Sequence, residues 1–173
     1  QETGRKEFLD AALAGARYLQ SIAVTTGDTC LIFHDEPDNK SLYYLGWCHG
    51  PVGTSRLWVR LDQIDPKAGW LTWAKKGAKA IQSSGIPEKQ TPGFWNNISQ
   101  CCGNSGVGEF FIDLQRQKPA PEYADMVSRV RVNTLMYEEL DQYLGKLKVP
   151  YLASLRQSAN YLRAWALERI TPE

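Results

Sequence analysis

The stretch CHGPVGTSRLWVRL at residues 48–61 decides the fold, because the chain holds a second copy of it, CCGNSGVGEFFIDL at residues 101–114. The two copies align without a gap. Both place glycine at their third and sixth positions, before an apolar stretch that ends in leucine. Glycines in that layout are typical of a tight turn that leads into the N-terminus of a helix. We therefore predict two equivalent turns, followed by helices at about 53–62 and 106–116.

A second repeat organises the rest of the chain. It consists of three segments with helical periodicity, FLDAALAGARYL at 8–19, WLTWAKKGAKAI at 70–81 and YLASLRQSANYL at 151–162. Small residues such as Gly77 in the middle of each segment allow a neighbouring helix to approach closely. Alternation of these helices with the turn helices predicts helical hairpins repeated around an axis. The predicted fold class is all-α, an α/α toroid that forms a partial ring, with short irregular or hairpin loops.

The remaining segments complete this outline. A further helix is predicted at 122–144, ended by Gly145, and a hairpin is predicted within 29–47, where a short apolar run precedes a turn. The segment 83–99 is rich in proline, glycine and asparagine and is predicted to be a surface loop. No linker divides the chain. We therefore interpret residues 1–173 as a single domain and expect it to be incomplete at one or both ends.

The composition excludes several classes of protein. With 173 residues, 43% apolar content and a net charge of +1, the chain can bury one sizeable core but does not attract nucleic acid or an anionic membrane. It has neither an apolar run long enough to span a membrane nor a secretory signal, so we expect a cytoplasmic protein. A partial ring exposes apolar edges. We therefore expect a homo-oligomer, or completion of the ring by a missing segment.

Three of the four cysteines, Cys48, Cys101 and Cys102, lie on the two predicted turns. A helix N-terminus lowers the pKa of a nearby thiol, and the thiolate is the form that binds a metal ion. Two such turns facing each other predict a cation site with soft ligands. The alternative is that these cysteines are buried thiols that only fill space. Cys30 lies in an apolar run without a repeat partner and is predicted to be a core residue.

The segments GWCHGPVG at 46–53 and QCCGNSGVGEFFIDL at 100–114 resemble the lanthionine synthetase C-like family, whose α/α toroids bind zinc through cysteines in such turns. The resemblance implies that Cys48 is the first ligand of a Zn²⁺ ion and Cys101 the second. Cys102 stands where the third ligand, usually histidine, is found. Three cysteinates would place more negative charge on the metal than two cysteinates and an imidazole.

The resemblance also implies a reaction. In the family, a cysteine thiol adds to the β-carbon of dehydroalanine or dehydrobutyrine, and an acid then protonates the α-carbon to complete a thioether, as in lanthipeptide cyclisation. The implied partners are a peptide with dehydrated serine or threonine residues and a thiol, with glutathione as an alternative thiol donor. The catalytic histidine and aspartate of the family lie far before the first zinc cysteine, and they cannot be mapped onto this chain.

The chain has two histidines, His34 and His49. His49 follows the first implied ligand, and an imidazole is a competent proton shuttle near pH 7, so His49 is the candidate catalytic residue. A second interpretation is that His49 orients the turn or donates a hydrogen bond to a metal ligand. His34 precedes Asp35, and adjacent residues of an extended segment point to opposite faces, so His34 is predicted to be a surface residue.

Two other functions are compatible with the same sequence. A zinc-stabilised module could bind a peptide without catalysing any addition. A helical ring with paired carboxylates also describes carbohydrate-active hydrolases, although nothing in the sequence places two carboxylates at a cleft. Trp47 and Trp95 flank the cysteine turns and are predicted to line a substrate cleft, whereas Trp58, Trp70 and Trp73 are predicted to pack in the core.

Overall fold

The structure, a computed structural model, describes most of the chain, namely residues 4–35, 39–89, 91 and 97–145. Within this part the secondary structure is mostly helical, with short strands between the first two helices, which confirms the all-α class with hairpin loops. The chain divides into two compact units, Gln1–Ser84 and Gly85–Glu173. The predicted helix at 151–162 and the side chain of Trp95 lie outside the described residues.

The first unit contains three α-helices and two hairpins. Its elements in chain order are α1 (Lys6–Ile22), β1 (Val24–Thr26), β2 (Thr29–Leu31), β3 (Phe33–Asp35), β4 (Asn39–Tyr43), α2 (Pro51–Ile64), a short 3₁₀ helix (Pro66–Ala68) and α3 (Leu71–Ser84). The helices α1, α2 and α3 confirm the helices predicted at 8–19, 53–62 and 70–81.

The helix α1 presents the apolar face that its periodicity predicts, but buries little of it. Leu9, Leu13 and Leu19 are half-buried and only Ala16 is fully buried. Phe8 stays 53% exposed, and the Arg5 guanidinium lies 4.6 Å above its ring. Periodicity therefore predicts the direction of this face but not the depth of its burial.

Two antiparallel hairpins follow α1, whereas the sequence predicts one. In the first hairpin Val24 pairs with Leu31, and the two-residue turn contains Gly27 at a φ of +60°, a conformation that favours glycine. In the second hairpin Phe33 pairs with Tyr43, and the two rings meet edge to face at 6.0 Å. The second hairpin delivers the chain to residue 46, where the first cysteine motif begins.

The helices α2 and α3 form the core of the first unit. Trp58 and Ile81 are fully buried, and Trp70 is also buried, whereas Trp73 is half-buried with its ring 5.7 Å from that of Trp58. Core packing is thus confirmed for Trp58 and Trp70 and is only partial for Trp73. A Cβ atom on Gly77 would lie 2.9 Å from the Cβ of Pro51, which confirms that the small residue allows close helix packing.

The second unit is built on α4 (Asn104–Gln117) and α5 (Pro121–Gly145). These helices confirm the predictions at 106–116 and 122–144. The core between them contains Phe111, Met126 and Val130, all of which are buried. Among the described helices of the chain, none is both long and apolar enough to cross a membrane.

The segment before α4 is more buried than the sequence predicts. Ile86 and Ile98 are buried, although the composition of 83–99 predicts a surface loop. Arg129 of α5 explains part of this difference. Its guanidinium donates to the carbonyl oxygen of Ile86 at 3.0 Å and, through Nε, to the Glu88 carboxylate at 2.9 Å, so it holds the start of the segment against the helix.

Candidate functional site

The first cysteine turn, residues 46–50, leads directly into α2. The Gly50 amide donates to the carbonyl of Gly46 at 3.1 Å, which closes the turn. Gly50 is the N-cap and has an extended conformation, with φ −123° and ψ −177°. Pro51 occupies the first helical position, where its missing N–H leaves no hydrogen bond unmade. Cys48 is exposed on this turn, two residues before the N-cap.

Two positions of the first motif have no room for a side chain and therefore require glycine. A Cβ atom on Gly50 would lie 2.5 Å from the carbonyl carbon of Leu45. One on Gly53 would overlap the carbonyl oxygen of Trp47. Because these neighbours are backbone atoms, they cannot move aside without opening the turn. This close packing explains why glycine occupies the third and sixth positions of the motif.

The second cysteine turn, residues 100–103, enters α4 with nearly the same backbone. Gly103 is the N-cap, with φ −132° and ψ −163°. A Cβ atom on Gly103 would overlap the carbonyl oxygen of Asn97, and the Asn104 amide donates to that same oxygen at 2.7 Å. The predicted equivalence of the two turns is therefore confirmed, both in conformation and in the reason for glycine.

Three hydrogen bonds anchor the second cysteine turn. The Cys102 amide donates to Oγ of Ser99 at 3.3 Å, and the Ser99 amide donates to Oδ1 of Asn97 at 2.8 Å. The buried Asn104 side chain donates through Nδ2 to Oδ1 of Asn133 on α5 at 2.6 Å. These contacts tie the turn both to the preceding loop and to the next helix.

The sulfur atoms of the second cysteine turn lie side by side. Sγ of Cys102 is 3.4 Å from Sγ of Cys101, and Cys102 is half-buried while Cys101 is exposed. Two sulfurs on a tetrahedral zinc ion, each with a bond of about 2.3 Å, are about 3.8 Å apart. Cys101 takes part in a disulfide in this structure, so reduction of that bond and a small adjustment of position would let both sulfurs bind one ion.

Cys30 has a different environment. It lies in β2 with 2% of its surface exposed, which confirms the prediction of a core residue. Burial raises the pKa of the Cys30 thiol to about 11, and the nearby Lys76 ammonium offsets only part of this effect. Cys30 is thus a buried neutral thiol at neutral pH and a useful contrast to the cysteines of the turns.

Three rings meet beside the first cysteine turn, in a ring cluster formed by His34, Tyr44 and His49. The ring centroids of His34 and His49 are 4.8 Å apart, and Tyr44 lies 5.0 Å from His34 and 5.7 Å from His49. His34 is exposed, as predicted, but it is not an isolated surface residue. The sequence predicts a hairpin here but not its register. The pairing of β3 with β4 brings His34 next to His49.

An exposed aromatic surface adjoins Cys48. The Trp47 side chain is 45% exposed, and the Arg56 guanidinium lies 5.7 Å from the centre of its ring. Arg56 is on α2, about two turns beyond the cysteine turn. The sequence predicts a role for Trp47 but not for Arg56, because no local pattern shows that the helix places this arginine over the ring.

The fold and the two turns define a helical protein with paired glycine-bounded cysteine motifs. The family model for lanthionine synthetase C-like protein matches residues 1–151, a range that includes both motifs. The chain therefore belongs to the lanthionine synthetase C-like family. Neither the curated proteins nor the solved structures include a match to this chain.

Family membership suggests a function of the lanthionine cyclase type. Cys101 and Cys102 lie side by side in the second unit and could contribute two sulfur ligands to a metal ion, whereas a shared site with Cys48 stays a prediction. The identity of that ion and the catalytic role of His49 stay predictions.

Proposed function

We propose that this protein catalyses zinc-dependent addition of a cysteine thiol to a dehydroalanine or dehydrobutyrine residue of a peptide, which forms a thioether. The observation that carries this proposal is the family match across both cysteine motifs. The most direct version of the reaction is cyclisation within one lanthipeptide precursor, since thiol and acceptor then belong to one substrate. Glutathione is an alternative thiol donor.

The proposed ligands of the zinc ion are Cys48, Cys101 and Cys102. The donor set fits zinc because thiolates are soft ligands and because the Cys101 and Cys102 sulfurs lie 3.4 Å apart. Three protein ligands leave one tetrahedral position for a substrate, and zinc, when bound, would stabilise the thiolate form of a substrate cysteine near neutral pH. With Cys102 in place of histidine, the donor set is more negative, which favours a more nucleophilic substrate sulfur.

The residues around Cys48 have proposed roles of their own. His49 adjoins Cys48 in the chain and is proposed as a proton shuttle for the reaction. The exposed Trp47 ring, with Arg56 beside it, offers an apolar face and a positive charge to a peptide substrate. This surface is proposed to bind the peptide near the reacting thiol.

Zinc content tests the metal part of the proposal. The purified chain, kept reduced, is expected to bind about one zinc ion per molecule, as measured by elemental analysis. Cys102→Ala is expected to lower that content severalfold and to abolish thioether formation. Cys30→Ala is the matched control and should keep its zinc, because Cys30 is a buried core thiol. Equal zinc content in both variants would contradict the assignment.

Product analysis tests the catalytic part. The zinc-loaded chain is incubated with a peptide that contains one dehydroalanine and one cysteine, and the remaining thiol is then counted by alkylation. Loss of the thiol at unchanged peptide mass would show cyclisation. Binding of the peptide without any loss of thiol would instead support a non-catalytic zinc module, and glycosidase activity that persists in Cys102→Ala would support the hydrolase alternative.

A further inference from the structure

A pair of asparagine side chains joins the second cysteine turn to α5. Nδ2 of Asn104 donates to Oδ1 of Asn133 at 2.6 Å. Asn104 is the first residue of α4 and comes two positions after Cys102, whereas Asn133 lies on α5. The pair therefore connects a core helix of the second unit to the point at which the turn becomes a helix.

Asn104 is held through its backbone and through its side chain. Its amide donates to the carbonyl oxygen of Asn97 at 2.7 Å, and its side chain is fully buried. A buried amide group that loses a hydrogen-bond partner costs free energy, because no water replaces the partner. The acceptor on α5 therefore fixes where α4 begins.

Asn133 also contacts the other end of the loop between α3 and α4. Its Nδ2 donates to the carbonyl oxygen of Pro87 at 3.4 Å. Four residues earlier on the same face of α5, Arg129 donates to the carbonyl oxygen of Ile86 at 3.0 Å. Asn133 is half-buried between these partners. This one side chain thus contacts the start of the loop and the residue that follows the cysteine turn at its end.

From this geometry we infer that Asn133 is a positioning residue for the metal site, which holds Cys101 and Cys102 in place through Asn104. This inference rests on the proposed function, in which both cysteines are zinc ligands. Zinc–ligand distances vary by only about 0.2 Å, so a shift of the turn weakens binding. Residues that orient metal ligands typically change the affinity for the metal by about 10–100-fold when they are substituted.

The zinc affinity of the reduced full chain provides the test. It is measured by competition with a chromogenic chelator. Asn133→Ala is expected to raise the dissociation constant for zinc about 10-fold, because the buried Asn104 side chain loses its acceptor and the turn shifts. With cobalt in place of zinc, the thiolate-to-cobalt absorption band should weaken in the same variant, since a displaced turn makes weaker sulfur–metal bonds.

Two variants separate positioning from a general loss of stability. Val130→Ala removes a buried side chain from α5, where Val130 packs against α4 beside Gly108. It should lower the stability to urea but keep the zinc affinity of the unaltered protein. Asn133→Asp keeps an oxygen that can accept from Asn104, so it should bind zinc more tightly than Asn133→Ala.

A double-mutant cycle tests whether Asn133 acts through Asn104. In an Asn104→Ala background, Asn133→Ala should cost no further zinc affinity, because the contact between the two side chains is already lost. A second loss as large as the first would contradict this route. If Asn133→Ala loses its helical circular dichroism spectrum, Asn133→Gln takes its place. Glutamine moves the amide by one methylene and should also weaken zinc binding.

The possible outcomes separate this inference from the proposed function. Unchanged zinc affinity in Asn133→Ala overturns the inference while the proposed function stands. An equal loss in Val130→Ala also overturns it, because the effect would then follow from lower stability alone. If the unaltered protein binds zinc as expected but forms no thioether, the proposed reaction fails and the inference is still decided by the affinities. If the unaltered protein binds no zinc, both fail.

Discussion

The first and second cysteine turns enter their helices through N-cap glycines with nearly the same extended conformation, yet the residue before each glycine differs, His49 in the first turn and Cys102 in the second. The first turn is joined to a hairpin that supplies His34 and Tyr44. The second is anchored by Asn97 and Ser99 to the preceding loop and by Asn104 to α5. The repeat thus preserves backbone geometry, while the surroundings give each copy a different chemistry.

The largest effect is expected at the N-cap glycines, which is where the two turns agree most closely. Gly50→Ala and Gly103→Ala should each destabilise the protein by about 2–3 kcal/mol, because the added Cβ meets backbone atoms in both turns. Urea denaturation measures this change in the free energy of unfolding.

Gly15→Ala is the control for these two variants. A Cβ on Gly15 would meet nothing within 4 Å, and alanine has the higher helix propensity, so this change should stabilise the protein by about 0.5–1 kcal/mol. A Gly103→Ala protein as stable as Gly15→Ala would contradict the steric requirement for glycine at the second turn.

A smaller difference is expected where the helices of each unit pack. Gly77→Ala brings a Cβ to 2.9 Å from Pro51, and this overlap should outweigh the gain in helix propensity by about 1 kcal/mol. Gly108→Ala meets only a methyl group of Val130 at 3.3 Å, which can shift, so its net effect should be near zero. Thermal unfolding of the two variants under identical conditions measures this difference in stability. Equal melting temperatures would show that both helix pairs tolerate the added methyl.

A further small effect is expected at the ion pair that holds the start of the loop before the second turn. The hydrogen bond from Arg129 lowers the pKa of the Glu88 carboxyl below its ordinary value of 4.5. The resulting stabilisation is therefore fully present above that value and is lost as the pH falls through the lower, folded pKa. Since Glu88 is largely exposed, the contribution should be under about 1 kcal/mol.

Glu88→Gln tests this pH dependence. The variant should lose stability relative to the unaltered protein at pH 7, and this difference should shrink at low pH as the Glu88 carboxylate takes up a proton. The two stability profiles, measured by urea denaturation from pH 7 to pH 2, should therefore converge as the pH falls. Profiles that stay parallel over this range would rule out the ion pair as the cause.

The helices and the turns could be predicted because they depend on local features. Periodicity locates α1, α3 and α5, and the paired glycines of the two motifs indicate where α2 and α4 begin. The packing role of Gly77 is predictable for the same reason, since a small residue at a helical repeat position permits close approach. The resemblance to the lanthionine synthetase C-like family depends on the same short motifs, and the family match agrees with it.

The surroundings of the candidate site could not be predicted in the same way. The contact of His34 with His49 depends on hairpin register, which pairs Phe33 with Tyr43 and which no motif in the sequence specifies. Arg56 was missed because its position over Trp47 follows from the direction in which α2 leaves the turn. The burial of Ile86 is not predictable from the local sequence, because the segment is held in part by Arg129, a residue far along the chain.

Local sequence is sufficient to predict the helical class, the two glycine-bounded cysteine turns and the family, because each of these follows from residues that are close in the chain and from steric limits on the backbone. The side chains that meet beside the first cysteine turn and the depth of helix burial follow from the tertiary structure. Those features depend on contacts between distant segments, whose stability arises from packing and not from local conformational preference.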